Sequence, residues 1–201
     1  MGSLRMYRSG DDAPLRRFPD GCFIRTYCDT HDILPWAEIC RAGQLLSPDG
    51  DAGTDFRNVI LHHPGLHCYR DLFFVVRRTD RQLLATIAAI ASTDDQNRRQ
   101  GYLHMVAARP ETRGRHIGSA MIAYALRKLF LDRVEYTILD TDDFRLPAIR
   151  TYLRAGFFPV AREDSEADEM FSRWSAILEN LDLHRIPLCD ADGRPITLLR
   201  P

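Results

Sequence analysis

Apolar residues follow two rhythms along this chain, and each change of rhythm marks an element. Leu72-Phe73-Phe74-Val75-Val76 and Leu83 to Ala91 are nearly continuous apolar runs separated by Thr79-Asp80-Arg81. Neither alternates with polar residues, so they predict a hairpin of strands covered on both faces. Cys22 to Tyr27, Tyr102 to Ala108, Val134 to Asp140 and Phe157 to Ala161 predict four further strands. Helical spacing predicts helices over Asp32 to Ala42, with Gly43 as the stop, and over Thr54 to His62. The strongest helix signal covers Ser119 to Phe130, where Ile117, Met121, Ala125 and Leu129 recur every four residues beside Ile122 and Leu126. Leu146 to Ala155 predicts a short helix, with Pro147 suited to its first turn and Gly156 to its end. Ser165-x-x-Asp168 resembles a capping box and opens a last helix with Met170, Trp174, Ile177, Leu178 and Leu181 in one stripe. A closing hairpin is expected around Asp190-Ala191-Asp192-Gly193.

Antiparallel pairs come early and strand–helix alternation comes late. That order predicts an α/β fold with a mixed, mostly antiparallel sheet and helices on both faces. Residues 1–20 read as a polar lead-in broken by Pro14 and Pro19. Residues 21–164 read as the main domain, and 165–201 as a C-terminal helix and hairpin packed on it. The 201 residues can bury a core of one domain's size.

Charge removes some functions from view. The 27 basic and 28 acidic residues nearly cancel, so no global positive field points to nucleic acid or to an anionic membrane surface. No apolar run reaches the ~18 residues of a membrane span, and the first twenty residues do not read as a signal peptide. Five scattered cysteines with no C-x-x-C pair fit a reduced, cytoplasmic protein better than a disulfide framework. His62-His63-Pro64-Gly65-Leu66-His67-Cys68 holds metal-capable side chains, but at no regular ligand spacing, so no metal is expected. Asp190 to Gly193 starts like a calcium loop but lacks the third acid and the distal glutamate, so a turn is expected.

The segment richest in chemistry is Arg113-Gly114-Arg115-His116-Ile117-Gly118, between a predicted strand and the strongest predicted helix. A helix start leaves backbone N–H groups without helical partners and carries about half a positive charge, so a basic, glycine-bearing turn there suits a phosphate. Arg109-Pro110-Glu111-Thr112 precedes it and Ser119 follows it. Further on stands Ala148-Ile149-Arg150-Thr151-Tyr152-Leu153-Arg154-Ala155-Gly156-Phe157. Together these resemble the R/Q-x-x-G-x-G/A loop and the A-x-x-x-Y-x-x-x-G-F segment of the acyl-CoA-dependent N-acetyltransferases of the GNAT superfamily. The order and separation of the two motifs match across roughly 55 residues.

The resemblance implies a GNAT-like sheet splayed at the cofactor site, and transfer of an acetyl group from acetyl-CoA to a primary amine by direct attack. It implies that Arg113, Gly114, Arg115, His116, Ile117, Gly118 and Ser119 hold the pyrophosphate of acetyl-CoA. Val106, Ala107 and Ala108 would pair their backbone with the pantetheine arm. Tyr152 is the expected general acid: a phenol, with a reference pKa of about 10, is protonated at neutral pH and can give its proton to a leaving thiolate. In many relatives a glutamate near the start of the corresponding strand serves as base. Here Gly101-Tyr102-Leu103-His104 has no carboxylate. His104 is the candidate base, sharing a face with Tyr102 and Val106 by strand alternation; a hydrogen-bonded sheet histidine is the plainer alternative, and Glu135 a weaker candidate. Two positions depart from the family pattern. His116 stands where the loop has its first glycine, and Arg145 where an asparagine is common.

The acceptor is a small-molecule or peptide amine, and the protein a monomer or homodimer, on this reading. The rival readings are a non-catalytic acyl-CoA-binding sensor or scaffold and, further behind, an α/β nucleotide-binding protein. The latter lacks both G-x-G-x-x-G and G-x-x-x-x-G-K-[ST].

Overall fold

A computed structural model of the chain describes residues 2–199. They fall into two compact units: Asp12–Val134, and the segments up to Asp11 and from Glu135 onward.

In the Asp12–Val134 unit, strands β2 (Cys22–Thr26), β3 (Leu72–Arg77), β4 (Leu83–Thr93) and β5 (Arg99–Ala108) pair in chain order, every neighbour antiparallel. (β1 belongs to the other unit.) The apolar runs at 72–76 and 83–91 are buried almost throughout, as strands covered on both faces must be. One face receives α1 (Ile33–Ala42) and α2 (Ala52–Phe56). Trp36, Ile39, Phe56 and Ile60 pack there with Leu72, Phe74, Val76, Ala88 and Ile90. The other face carries α4 (Ile117–Leu131), whose Tyr124 meets Phe73 edge-on at 5.3 Å. All six residues of the predicted stripe on α4 are buried.

Three details differ from the sequence reading. The helix expected at 54–62 begins at Ala52, where the Asp51 carboxylate caps Thr54 N–H at 2.8 Å, and continues as a π turn over Arg57–Leu61. A one-turn helix, α3 (Cys68–Asp71), follows the histidine-rich loop. Its Asp71 is fully buried and held by Arg70 at 2.9 Å, by Lys128 at 2.6 Å and by the His67 N–H at 2.9 Å. Burial alone would raise that carboxyl, but these donors hold it below the usual carboxylate range. Lys128, the chain's single lysine, thus fastens α4 to α3 and, through the Ala89 carbonyl at 2.8 Å, to β4.

In the second unit the strand order is β6-β1-β7-β8-β9, with β1 (Leu4–Ser9), β6 (Tyr136–Thr141), β7 (Phe158–Val160), β8 (Ile186–Cys189) and β9 (Pro195–Leu199). Only β7–β8 is parallel. The polar reading of residues 1–20 is therefore corrected. Leu4, Met6 and Arg8 alternate with outward residues in a central strand, and the arginine hides the pattern. Arg8 earns its buried place by donating to the Ala155 carbonyl at 2.9 Å and to the carbonyls of Ser9 and Asp11. It thus caps the C-terminus of α5 (Leu146–Arg154), the end of a helix that favours a cation. Pro147 lies in the first turn of α5, and Gly156 follows its end at φ 87°. The last helix, α6 (Ala167–Asn180), buries Met170, Trp174, Ile177 and Leu178 as its stripe predicts. The capping box is not made: no side chain caps α6, and the Ser165 hydroxyl bonds Glu163 instead. The closing hairpin forms as β8–β9.

Candidate active site

Every predicted cofactor residue, together with His104, belongs to the Asp12–Val134 unit, and Tyr152 to the other. Each site is therefore built from its own strand, turn or helix.

β5 does not run regularly. His104 pairs with Ala88 and Ala107 with Thr86, so Met105 and Val106 together stand opposite Ile87. This is a β-bulge, and Met105 takes φ 51° to make it. The extra residue reverses the alternation. Ala107, not Val106, joins Tyr102 on the face packed with Ala88 and Ile90. The expectation that His104 shares its face with Val106 is thus overturned, because strict alternation holds only in an unbulged strand.

Beyond β5 the chain makes a 3₁₀ turn over Pro110–Thr112. The Thr112 hydroxyl donates to the Arg109 carbonyl at 2.6 Å. Arg109 itself is spent on structure, donating to the Leu83 carbonyl at 2.8 Å and to Glu38 at 2.7 Å. Gly114 (φ 75°) and His116 (φ 58°) are both left-handed, and Ile117 begins α4. His116 thus adopts the backbone that glycine serves at no steric cost. Its side chain is exposed and caps nothing. Its carbonyl accepts from the Ser119 hydroxyl at 2.9 Å and from Ala120 N–H at 3.1 Å. The N–H groups of His116, Ile117, Gly118 and Ser119 precede the first intrahelical bond and are available to an anion. Arg113 and Arg115 are exposed beside them, while Ile117 anchors the turn in the core at 1% exposure. A Cβ on Gly118 would meet nothing within 4 Å, so the turn's outer side is open.

His104 is half-buried, and its Nε2 lies 3.3 Å from the Val59 carbonyl. A carbonyl only accepts, so Nε2 carries the proton and Nδ1 keeps its lone pair. Burial first, and His63 second, push its pKa down to about 4, against the hydrogen bond it donates to the Val59 carbonyl. The imidazole is therefore neutral at neutral pH. Two rings flank it: His63 at 4.6 Å and Tyr102 at 5.6 Å between centroids. His63 comes from the loop after the π turn and was singled out in the sequence only as part of a metal-capable run. Among the described residues that run forms no group of three metal-capable side chains.

Tyr152 is 5% exposed on α5, its ring edge-on to Phe157 at 6.1 Å, with the fully buried Ile149 one turn before it. Arg145 precedes the first turn of α5 and is engaged locally, bonding Asp142 at 2.7 Å and covering the Phe144 ring at 4.8 Å.

A bulged strand, a left-handed glycine-bearing turn and a helix start whose first N–H groups lack intrahelical partners follow one another here. The model of the Acetyltransferase (GNAT) family matches residues 40–157, and the chain belongs to that family. No curated protein matches significantly. Among solved structures, the chain resembles a GCN5-related N-acetyltransferase from Sphaerobacter thermophilus, at TM-score 0.57 and 19% identity over 78% of this chain and 48% of that one. It also resembles glucosamine-6-phosphate N-acetyltransferase from Arabidopsis thaliana, at TM-score 0.51 and 15% identity over 67% and 90%. A third is the NatC complex bound to Gag peptide and CoA, at TM-score 0.51 and 17% identity over 66% and 82%. The chain spans about half the length of the first of these. At such identities the likeness is one of fold, which is the mixed, mostly antiparallel α/β fold of the family. No helix among the described residues is long and apolar enough to cross a membrane.

Proposed function

We propose that the protein transfers an acetyl group from acetyl-CoA to a primary amine of a small molecule or peptide. The observation that carries this reading is the turn Gly114–His116, left-handed at both ends and opening onto α4 directly after the bulged strand. A pyrophosphate at the N–H groups of residues 116–119 gains both hydrogen bonds and the positive end of α4, with Arg113 and Arg115 adding charge. The backbone of Val106, Ala107 and Ala108 takes the pantetheine arm. Strand-like pairing with that arm holds the thioester in line for attack, which removes much of the entropic barrier of a two-substrate reaction. Tyr152 gives a proton to the departing sulfur, and the proton of the amine goes to the imidazole pair of His104 and His63.

Family membership, the loop geometry and the CoA of one distant neighbour support this reading. The test is a melting scan with acetyl-CoA, followed by acetyl-CoA-dependent thiol release over a panel of amines. Acetyl-CoA at a hundred times its Kd is expected to stabilise the fold by about 2.7 kcal/mol. Tyr152→Phe is expected to keep that shift and to lower kcat by about 10²-fold. Unchanged turnover in Tyr152→Phe across pH would remove the acid role. The absence of a carboxylate in Arg99 to His104 favours a second reading, a non-catalytic acyl-CoA sensor. That reading expects the melting shift with no thiol release on any amine.

A further inference from the structure

We propose that His63 takes the proton from the acceptor amine, and that His104 is the positioning residue behind it. The inference rests on the transferase reading above and names the base that reading requires.

His63, Tyr102 and His104 form a closed triangle of rings, with centroids 4.6, 5.6 and 6.0 Å apart. Two of them belong to β5 immediately before the bulge, and His104 lies two residues before Val106, where the pantetheine arm begins its pairing. The third comes from the loop that follows the π turn. His63 Nδ1 lies 2.9 Å from the Pro64 carbonyl, so Nδ1 carries the proton and Nε2 is left as the basic nitrogen. That bond also orients the ring. His104 is fastened in the opposite tautomer by the Val59 carbonyl. Val59 lies inside the π turn and Pro64 just after it, so one short segment sets both tautomers.

The two imidazoles are not equivalent. His104 is half-buried on β5, its pKa pushed down, and it stays neutral. His63 stands next to exposed loop residues, and its bond to Pro64 lies at the surface while that of His104 to Val59 is partly buried, so His63 is the member of the pair offered to an amine. The titratable groups facing His63 from the elements packed against it are His104 and Tyr102 of β5. On its own loop the neighbour is the exposed His62. No carboxylate lies on β5 ahead of the bulge to do this work, and an imidazole whose Nε2 is left as acceptor fits the task.

The step balances without a further reagent. The amine nitrogen forms a bond to the thioester carbonyl carbon, and one of its protons passes to His63 Nε2. The C–S bond breaks, and the sulfur leaves as the thiol with a proton from the reaction's acid. His63 returns its proton to water.

Two measurements on the full chain decide the assignment. In a long-range ¹H–¹⁵N spectrum of the histidines, His63 is expected with its proton on Nδ1 and His104 with its proton on Nε2. The reverse tautomer at His63 would overturn the proposal whether or not an acceptor is known. With acetyl-CoA and any panel amine that supports thiol release, His63→Gln is expected to lower kcat at least about 10²-fold and to abolish the acid limb of the kcat/KM profile. KM for acetyl-CoA and the melting shift it causes should be unchanged. His104→Gln keeps a donor for the Val59 carbonyl and is expected to retain the limb, whereas His104→Ala displaces it. A His63→Gln protein with wild-type rate and pH profile would overturn the role of His63. A wild-type protein that acetyl-CoA does not stabilise would overturn the transferase reading itself, and the base with it.

Discussion

At the scale of single residues, His116 shows what a departure from a motif costs. A left-handed backbone is about 1–2 kcal/mol less favourable for an L residue, somewhat less for histidine, and glycine regains part of this while losing about 0.5–1 kcal/mol in chain entropy. His116→Gly should therefore leave the urea midpoint unchanged or slightly raised. His116→Val, branched at Cβ, should lower stability by about 1–2 kcal/mol. If valine were tolerated as well as glycine, the turn would not be left-handed at that position. The sequence marked His116 as the discordant residue without deciding its backbone, because the turn's geometry depends on Ile117 being drawn into the core.

His104 carries a different prediction. Its folded pKa of about 4 lies below the ordinary histidine value of 6.5, so between those values the unfolded chain binds more protons than the folded one. Stability is whole above about pH 6.5 and falls as pH drops toward 4, by up to about 3 kcal/mol at 1.36 kcal/mol per pH unit. Urea midpoints of wild type should fall across that window, and His104→Gln should flatten the limb. Five carboxylates held low, Asp29, Asp51, Asp71, Asp80 and Asp143, add their own losses at lower pH, below their unfolded values.

At the scale of elements, the legible parts are those whose apolar spacing is uninterrupted. β3, β4, α4 and α6 bury the residues their spacing picks out. β1 was not legible, because a buried arginine occupies one of its three inward positions and takes its partners from α5 and the following loop. The bulge in β5 and the π turn were not legible either. Each adds one residue to a regular repeat, and both are settled by pairing with distant chain. The loop that follows the π turn brings His63 beside His104, and no motif marks a pair so far apart in the chain. The β8–β9 hairpin makes a sharper demand on its turn residue. Gly193 has φ 78°, and a Cβ there would lie 2.2 Å from the Tyr7 ring of β1. Gly193→Ala must strain the turn and displace an aromatic ring together. A loss of at least about 2 kcal/mol is expected in chemical denaturation, against a few tenths for alanine at an ordinary exposed site. Near-wild-type stability would mean that the ring moves freely.

At the scale of the whole molecule, stability and function make opposed demands on one place, the first turn of α4. A carboxylate is favourable at a helix start by about 0.3–1 kcal/mol, because it meets the positive end of the dipole. A bound pyrophosphate would use that same field and the same N–H groups. Nothing in α4 supplies the carboxylate: its first turn has no acidic residue, and its cap is an exposed histidine whose side chain makes no cap hydrogen bond. The fold thus leaves the start of its longest helix uncompensated, as it does that of α5, and the proposed ligand would meet that field unopposed. Gly118→Glu puts the two demands in conflict. The residue has an ordinary negative φ and free space at Cβ, so the substitution is sterically mild. The ligand-free protein is expected to melt at the same temperature or a degree or two higher. Acetyl-CoA, which should stabilise the wild type by about 2.7 kcal/mol at a hundred times its Kd, is expected to leave the variant's melting temperature unmoved. Gly118→Gln, of the same size without the charge, should recover part of the shift. A Gly118→Glu protein that is stabilised by acetyl-CoA as fully as the wild type would place the pyrophosphate somewhere other than the start of α4.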